Sequence, residues 1–337
     1  HCVSEWGHDF RTAYLRLGPL SREFCTSEAG TPPLIALTGT ASEMVLGDLR
    51  RELGIQAPDS VVTPRSFDRS ELRFRLLRAR SAGKFPTLRY YLDTSQPAVR
   101  QPAAGKAAGS VRPVCGLVFC PHVNGPYGVV EVADRLRKAG VDAAYYSGGK
   151  PKAYGGSVAE WARRKREVEL EFKRDARSVL STTKAFGMGV DKPNVRFTVH
   201  YGMPASIEAF YQEAGRAGRD GNPAECVLIV SDDQQDKNRP LLAPETPVER
   251  VAAQIRKRGR ANADDVSRAL FFHVRSFTGI DAEVAAVEEL LAMLDPASGA
   301  GMREISWDRV PAGRGEDPQA VMEKALHRLM VIGVVVD

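Results

Sequence analysis

Short runs of apolar residues alternate with stretches of helical spacing through the middle of this chain. The runs are apolar enough for strands buried on both faces of a parallel sheet. They lie at 114–120, 141–146, 178–183, 195–201 and 226–230. Between the first two, Val132, Leu136 and Ala139 lie on one side of a predicted helix that ends at Gly140. A charged helix at about 157–177 continues this β-α-β order, so the pattern predicts a doubly wound parallel α/β sheet.

Beyond residue 246 the spacing of apolar residues becomes helical and stays so almost to the end. Short helices need a shared core to be stable, and we predict a helical connector at about 246–295 with such a core. Its apolar faces carry Val251, Ile255, Leu270, Phe271, Val284, Val287 and Leu291. One more helix is predicted at 317–329, and VIGVVVD at the end resembles the opening strand of a small wing.

Near the N-terminus, LIALTGTA at 34–41 predicts a strand that runs into a turn, with a helix following at 42–53. The hydroxyls of Thr38 and Thr40 either hydrogen-bond across a crevice or cap that helix. Before them, HCVSEWGHDFR at 1–11 has no periodicity and predicts an exposed loop. Its aromatic side chains either stack on unpaired bases or attach the loop to the core.

Two other stretches lack a regular pattern. SFDRSELRF at 66–74 has basic and aromatic residues that suit either a nucleic-acid contact or a plain linker. Residues 94–113 are rich in Ala, Gly, Pro and Ser without an apolar period, which predicts a flexible insertion. We therefore expect three domains, at 1–65, 66–235 and 236–337.

Composition is that of an ordinary globular protein, with 43% hydrophobic and 26% charged residues among 337. A net charge of +5 permits a nucleic-acid partner without requiring one. No apolar run approaches the length of a membrane-spanning helix, so no membrane partner is expected. Five cysteines without a C-x-x-C pair indicate neither a disulfide framework nor a metal site. We expect a reduced cytoplasmic location, associated with the nucleoid if the source is bacterial.

Candidate chemistry is concentrated in QEAGRAGRDG at 212–221. Gln212, Arg216 and Arg219 recur at i, i+4 and i+7, which would place them on one face of a helix. The small residues between them leave room for a close approach, and two guanidinium groups with such room suit a phosphate. The alternative is a solvated basic helix.

Three segments together closely resemble the last two signature motifs of the RecQ family of superfamily 2 DNA helicases. They are FGMGVDKP at 186–193, VRFTVHYGMP at 195–204 and QEAGRAGRDG. The loop at 1–11 resembles the aromatic-rich loop after the family's DEAH box, and ALTGTA at 36–41 resembles its third motif. The resemblance implies that 1–65 is the C-terminal part of a first RecA-like lobe and that 66–235 is a second RecA-like lobe. Residues 236–337 would be a helical module leading into an incomplete winged-helix-like segment.

The resemblance also implies roles for single residues. Arg219 would be the arginine finger that reaches ATP across a domain cleft, Arg216 a second phosphate contact, and Gln212 their partner within the motif. Gly187, Gly189 and Asp191 would bind the nucleotide, with Asp191 near the ribose. Residues that contact DNA or couple it to ATP turnover would be Trp6, His8, Phe10, Arg11, Thr38, Thr40 and Thr183.

The function implied is that of part of an ATP-dependent 3′-to-5′ DNA helicase or translocase. Its partners would be DNA, single-stranded or with a 3′ overhang, and the upstream RecA-like lobe of the same protein. Because the chain begins at what resembles the end of the DEAH box, we expect a fragment whose magnesium ligands lie upstream. It contains no phosphate loop of the form G-x-x-x-x-G-K-[ST], so we expect no ATP hydrolysis by the fragment alone.

Typical family members follow the second lobe with a zinc module built on four cysteines. The resemblance implies ATP with Mg²⁺ as the cofactor. Here no cysteine follows Cys226, so we expect no zinc or other metal held by this chain. Two alternatives from other classes remain. One is a catalytically inactive module that binds nucleic acid or acts as a scaffold, and the other is an RNA helicase or remodeller with the same motor.

Overall fold

The structure is a computed structural model. It describes residues 14, 17–28, 30–38, 43–63, 66, 68–100, 114–186, 191–258, 264–276, 280–294, 306 and 317–335. The chain divides into two compact units, one formed by Phe67–Val274 and the other by His1–Ser66 with Arg275–Asp337.

A fully parallel sheet forms the centre of the unit Phe67–Val274. Its strands among the described residues are β1 (Leu72–Ala79), β2 (Cys115–Phe119), β3 (Ala143–Tyr146), β4 (Val179–Thr182), β5 (Val195–His200) and β6 (Ala224–Ser231). Their order is β1-β6-β5-β2-β4-β3, and every neighbouring pair is parallel. The chain moves from β2 out to β3, returns through β4, and crosses to β5 on the other side of β2. The predicted doubly wound, RecA-like sheet is confirmed.

Helices occur in both units. In chain order they are α1 (Leu17–Cys25), α2 (Glu43–Glu52), α3 (Lys84–Ser95), α4 (Val129–Lys138), α5 (Val158–Lys173), α6 (Ile207–Ala214), α7 (Gln235–Asn238), α8 (Val248–Arg258), α9 (Asp265–Ser276), α10 (Ile280–Leu294) and α11 (Pro318–Val331). Short 3₁₀ turns cover Pro58–Ser60, Ser81–Gly83, Pro97–Arg100 and Arg239–Leu241. Of the helices in the described ranges, none is long and apolar enough to cross a membrane.

Apolar side chains pack on both faces of the sheet. On one face α3 and α4 contribute the buried residues Leu88 and Leu136. On the other face α5 and α6 contribute Phe172 and Ala214. Burying a large apolar side chain of this kind contributes about 2 kcal/mol, so these two layers hold the strand ends, and the loops that follow them, in place.

Strand β1 and helix α3 were not predicted, and α3 extends into the start of the predicted insertion. The sequence of β1 lacks an apolar run because β1 is an edge strand with several exposed arginines. Thr94 and Ser95 end α3 rather than begin a flexible segment, and Val99 in the following 3₁₀ turn is fully buried. The rest of the predicted insertion, 101–113, lies outside the described residues.

Residues 236–274, predicted as part of a separate helical module, pack within the unit of the sheet. A buried ion pair attaches α9: Nζ of Lys84 lies 2.7 Å from Oδ2 of Asp265, and it also donates to the carbonyl of Tyr201 at 2.9 Å. Asp265 accepts further hydrogen bonds from the backbone N–H and the hydroxyl of Ser231, at the end of β6. The domain boundary after residue 235 stays a prediction.

In the other unit, the predicted strand at 34–41 is wrong over its described part. Residues 31–38 have no regular secondary structure, and the side chains of Ile35 and Leu37 are 80% and 91% exposed. A strand needs a neighbour for its backbone hydrogen bonds, and the described residues of this unit contain no strand that could pair with it. The helix predicted at 42–53 is confirmed as α2, whose Val45 and Leu49 are buried.

The helices predicted after residue 246 are confirmed, but their single shared core is wrong. Val251, Ile255, Leu270 and Phe271 pack in one cluster with Leu241. Val287 and Leu291 lie in a second cluster, around Leu290 of α10 and Leu329 of α11. Val284 is 46% exposed. The reason is that α10 buries its apolar side chains against α11, in a cluster separate from that of α8 and α9.

The wing strand predicted at the end of the chain is wrong within the described residues. Helix α11 continues through Val331, and the chain then turns at Gly333, whose φ is 73°. The Gly333 N–H donates to the carbonyl of Met330 at 3.1 Å and the Val334 N–H to that of Leu329 at 2.9 Å. Such bonds satisfy the last carbonyls of a helix, so the apolar residues here end α11 and form no strand.

Candidate functional site

The two candidate arginines lie in a turn that follows α6. The hydroxyl of Ser206 caps the start of α6, where it accepts a hydrogen bond from the Ala209 N–H, and the helix ends at Ala214. Gln212 is therefore on the last turn of α6, while Arg216 and Arg219 come after it. The predicted helical face at i, i+4 and i+7 is wrong. We call residues 215–221 the arginine turn.

Gly218 gives the arginine turn its shape. Its φ of 65° is a left-handed conformation that favours glycine, and its N–H donates to the carbonyl of Val195 at 3.0 Å. A Cβ on Gly218 would lie 2.9 Å from Cγ of Glu71 and 3.1 Å from the carbonyl oxygen of Asn222. The small residues predicted that something approaches closely here. At Gly218 the approaching groups are Glu71 and Asn222 of the same chain.

Arg219 and Asp191 were assigned separately to the nucleotide site, and the structure brings them together. Nη1 of Arg219 donates to Oδ1 of Asp191 at 2.9 Å. The arginine side chain is 36% exposed and the aspartate side chain 77%. An ion pair this exposed stabilises a fold by about 1 kcal/mol at most, so a phosphate can replace Asp191 as the partner of Arg219.

Arg216 is half-buried beside a small cavity. The cavity is lined by Leu117, Phe172, Phe186, Lys192, Val195 and Arg216 itself. Burial lowers the pKa of Arg216, the charge of Arg219 acts in the same direction, and Glu213 opposes them. Arginine keeps its proton at neutral pH, so this site holds a cation with part of its hydration removed. An anion bound next to it would be favoured.

Lys192, which was not among the predicted site residues, anchors the segment that precedes β5. Its buried Nζ lies 2.5 Å from Oδ1 of Asp175 and 5.2 Å from the ring centre of Phe172. Asn194 also donates to Asp175, at 3.0 Å. Gly187 and Gly189, the other predicted nucleotide-binding residues, lie outside the described residues.

Arg196 and Asp220 hold the far end of the arginine turn and were also missed. Nη2 of Arg196 lies 2.5 Å from Oδ1 of Asp220, and Nη1 donates to the carbonyl of Pro223 at 3.3 Å. Burial by itself would raise the pKa of Asp220, but hydrogen bonds from Arg196 and Asn222 outweigh it and lower that pKa to about 2. Asp220 is therefore charged throughout the neutral range.

Thr183 and the arginine turn lie at opposite ends of the strands of the sheet. It follows the last residue of β4, and its hydroxyl accepts a hydrogen bond from the Ala185 N–H at 3.4 Å. The arginine turn instead meets Val195, the first residue of β5. Because all the strands run parallel, the arginine turn lies at their amino ends and Thr183 at their carboxyl ends. The latter is the edge where open α/β sheets usually bind ligands.

The remaining predicted contacts with DNA are outside this unit. Thr38 is an exposed residue without regular secondary structure in the other unit. Trp6, His8, Phe10, Arg11 and Thr40 lie outside the described residues. In the described ranges, no three His, Cys, Asp or Glu side chains are grouped so that they could hold a metal ion, and the expected absence of zinc stays a prediction.

Similarity to known proteins covers β2 to β5 and the arginine turn. Residues 111–221 match the family model described as the helicase conserved C-terminal domain. The ATP-dependent DNA helicase RecQ of Pasteurella multocida (strain Pm70) is 36% identical over 259 residues, which are 75% of this chain and 34% of that protein. A putative ATP-dependent DNA helicase Q1 of Caenorhabditis elegans is 36% identical over 229 residues, 68% of this chain and 31% of its own length. The chain thus spans about a third of the length of these curated relatives.

Among solved structures, S. cerevisiae Dbp5 bound to RNA and ADP BeF3 aligns with 58% of this chain and 44% of its own. The sequence identity is 16% and the TM-score 0.40.

Proposed function

Because this chain belongs to the RecQ family of superfamily 2 helicases, we propose that it is part of an ATP-dependent DNA helicase or translocase. In this proposal Arg219 is the arginine finger and Arg216 a second phosphate contact, both acting on ATP held mainly by the upstream lobe. The observation that carries the proposal is the arginine turn, with the half-buried Arg216 next to Arg219 and its replaceable partner Asp191.

The chemistry of phosphoryl transfer explains why two arginines would be placed there. Negative charge on the transferred group is stabilised by positioned cations, and one arginine finger contributes about three to five decades in rate. Bound ATP and its Mg²⁺ would supply the reacting phosphate, while Gln212 would orient the arginines from the last turn of α6. Arg219 would exchange the carboxylate of Asp191 for phosphate oxygens, so its charge would stay paired in both arrangements.

For the nucleic acid we propose single-stranded DNA, or DNA with a 3′ overhang, tracked in the 3′-to-5′ direction. Thr183 at the carboxyl edge of the sheet and the net charge of +5 support a contact with the DNA backbone. The buried free thiols of Cys115, Cys120 and Cys226 support a reducing compartment such as the cytoplasm.

The test is to measure ATP turnover by the full-length protein with single-stranded DNA, with RNA of the same sequence, and with neither. We expect DNA to stimulate turnover much more than RNA does, and a strand-displacement assay to require a 3′ overhang. Stimulation by RNA alone would contradict the choice of substrate. Turnover that neither nucleic acid changes, or no turnover at all, would contradict the proposed motor and favour a binding module.

A further inference from the structure

Arg69 lies just before β1, in the stretch that the sequence left open between a nucleic-acid contact and a linker. Its side chain points to the arginine turn. Nη2 donates to the carbonyl of Ala217 at 3.0 Å, and Nη1 donates to the carbonyl of Gly215 at 3.4 Å. Nε donates to the carboxylate of Glu71. The Arg69 guanidinium thus binds a backbone carbonyl on each side of Arg216.

The two carbonyls belong to the arginine turn, past the end of α6 at Ala214. A backbone carbonyl that no N–H of a helix or strand binds needs another donor. A planar guanidinium can satisfy two such oxygens in a fixed geometry, which an ammonium group cannot do. Since the carbonyls of the two residues that flank Arg216 are held, the direction in which the Arg216 side chain leaves the backbone is restricted as well.

Arg69 is itself fixed to the sheet through Glu71. The Glu71 carbonyl accepts a hydrogen bond from the Ala224 N–H at 2.9 Å, directly before the β1–β6 pairing that starts at Leu72 and Ala224. The pKa of Glu71 is lowered, first by the hydrogen bond from its own backbone N–H and then by the one from Arg69. The Glu71 side chain also packs closely on Gly218. The edge of the sheet therefore supports the arginine turn at Gly215, Ala217 and Gly218.

We infer that Arg69 is a positioning residue for Arg216 and Arg219, and that it does not contact DNA. It binds the backbone of the arginine turn so that both guanidinium groups face the phosphates of ATP. The inference rests on the proposed function, since it assigns Arg69 to the same reaction. A displacement of about 1 Å in such a group is enough to cost up to roughly a hundredfold in rate.

The test uses the full-length protein with Arg69→Ala, Arg69→Lys and, as a matched control, Arg78→Ala on the exposed side of the same edge strand. We expect Arg69→Ala to lower kcat for ATP about 10- to 100-fold. The KM for ATP, the Kd for single-stranded DNA and the melting temperature should stay close to wild type. Arg69→Lys should recover only a small part of kcat, and Arg78→Ala should behave as wild type.

Hydrogen exchange gives a second readout that does not depend on turnover. Amide exchange in the peptide covering 212–221 should become faster in Arg69→Ala, because the Gly218 N–H bond to Val195 loses its support. The peptide covering β4 should not change. These effects distinguish a held turn from general unfolding, which would raise exchange in both peptides.

Three outcomes would overturn the inference. One is a weaker Kd for DNA with kcat restored at saturating DNA, which would make Arg69 a DNA contact. The second is a parallel loss of kcat, DNA binding and melting temperature, which would make it a general stabilising residue. The third is unchanged exchange at 212–221. If the wild-type protein has no DNA-dependent turnover, the proposed function fails, and exchange still decides whether Arg69 holds the turn.

Discussion

Nη1 of Arg219 donates to Oδ1 of Asp191 at 2.9 Å, across 28 residues of sequence. The pair links the arginine turn to the segment that leads into β5. Since both side chains are exposed, the pair is weak enough to exchange. In its proposed role as an arginine finger, Arg219 would keep its charge compensated by Asp191 until a phosphate replaced that carboxylate.

Arg219→Ala in the full-length protein should lower ATP turnover by about a hundredfold or more, because a finger acts on charge that develops in the transition state. The Kd for single-stranded DNA should change little. Arg219→Lys should recover little activity, since a point charge lacks the planar fork. The measurements are steady-state ATPase kinetics and fluorescence anisotropy of labelled DNA, and an equal loss in both would show that Arg219 is structural.

Asp191→Asn is the matched change on the other side of the pair. We expect a smaller effect on kcat than for Arg219→Ala, because in the proposed function a phosphate of bound ATP would replace Asp191 as the partner of the Arg219 guanidinium. Combining the two changes should cost no more than Arg219→Ala alone, since residues in direct contact do not act independently. Additive losses would mean that Asp191 acts without Arg219.

Asp220→Asn should destabilise the fold in a pH-dependent way. Hydrogen bonds from Arg196 and Asn222 lower the pKa of Asp220 from its ordinary 3.8 to about 2 in the fold. A lowered folded pKa means that the stabilisation is present above the unfolded pKa and is lost as the pH falls through the folded one. Melting temperatures of wild type and variant should therefore differ at pH 7 and converge between about pH 4 and pH 2. A constant difference over that range would contradict the assignment.

Lys84→Met should destabilise the protein by about 3 kcal/mol, since removing one partner leaves a buried carboxylate with less compensation. Burial lowers the pKa of Lys84, and the Asp265 carboxylate opposes that shift. Arg268 still donates to Asp265 at 2.8 Å. We therefore expect the loss in free energy of unfolding to be at the lower end of the range for breaking a buried ion pair. Urea denaturation is the measurement, and Lys138→Met, at an exposed position of α4, is the control. Equal stability of both variants would mean that the pair does not hold α9 in place.

Chelation should leave the melting temperature unchanged, because no cysteine follows Cys226 and only His273 and His327 remain as soft ligands there. His327 lies 3.6 Å from a Glu52 carboxylate oxygen. Atomic absorption of the purified protein and melting with and without EDTA are the measurements. One equivalent of zinc, with a lower melting temperature in EDTA, would overturn the expectation and would require ligands recruited from elsewhere in the chain.

The sequence by itself determined the central sheet. Continuous apolar runs such as Cys115–Phe119 are buried on both faces of a parallel sheet, so the run alone identifies the strand. Edge strand β1 has no such run, because Arg73 and Arg75 occupy positions that an inner strand would fill with apolar residues. The stretch at 34–38 has the apolar pattern without a neighbour in the described residues, and there the pattern predicted a strand that did not form.

Only the tertiary structure decided how the candidate site is built. The motif identified Arg216 and Arg219, but their place in a turn rather than on a helix depends on Gly218 meeting Val195 and Glu71. Arg69 reaches that turn across 146 and 148 residues of sequence. A hydrogen bond to a backbone carbonyl does not depend on the side chain of the residue that accepts it, so such a contact leaves no periodic or compositional trace in the sequence.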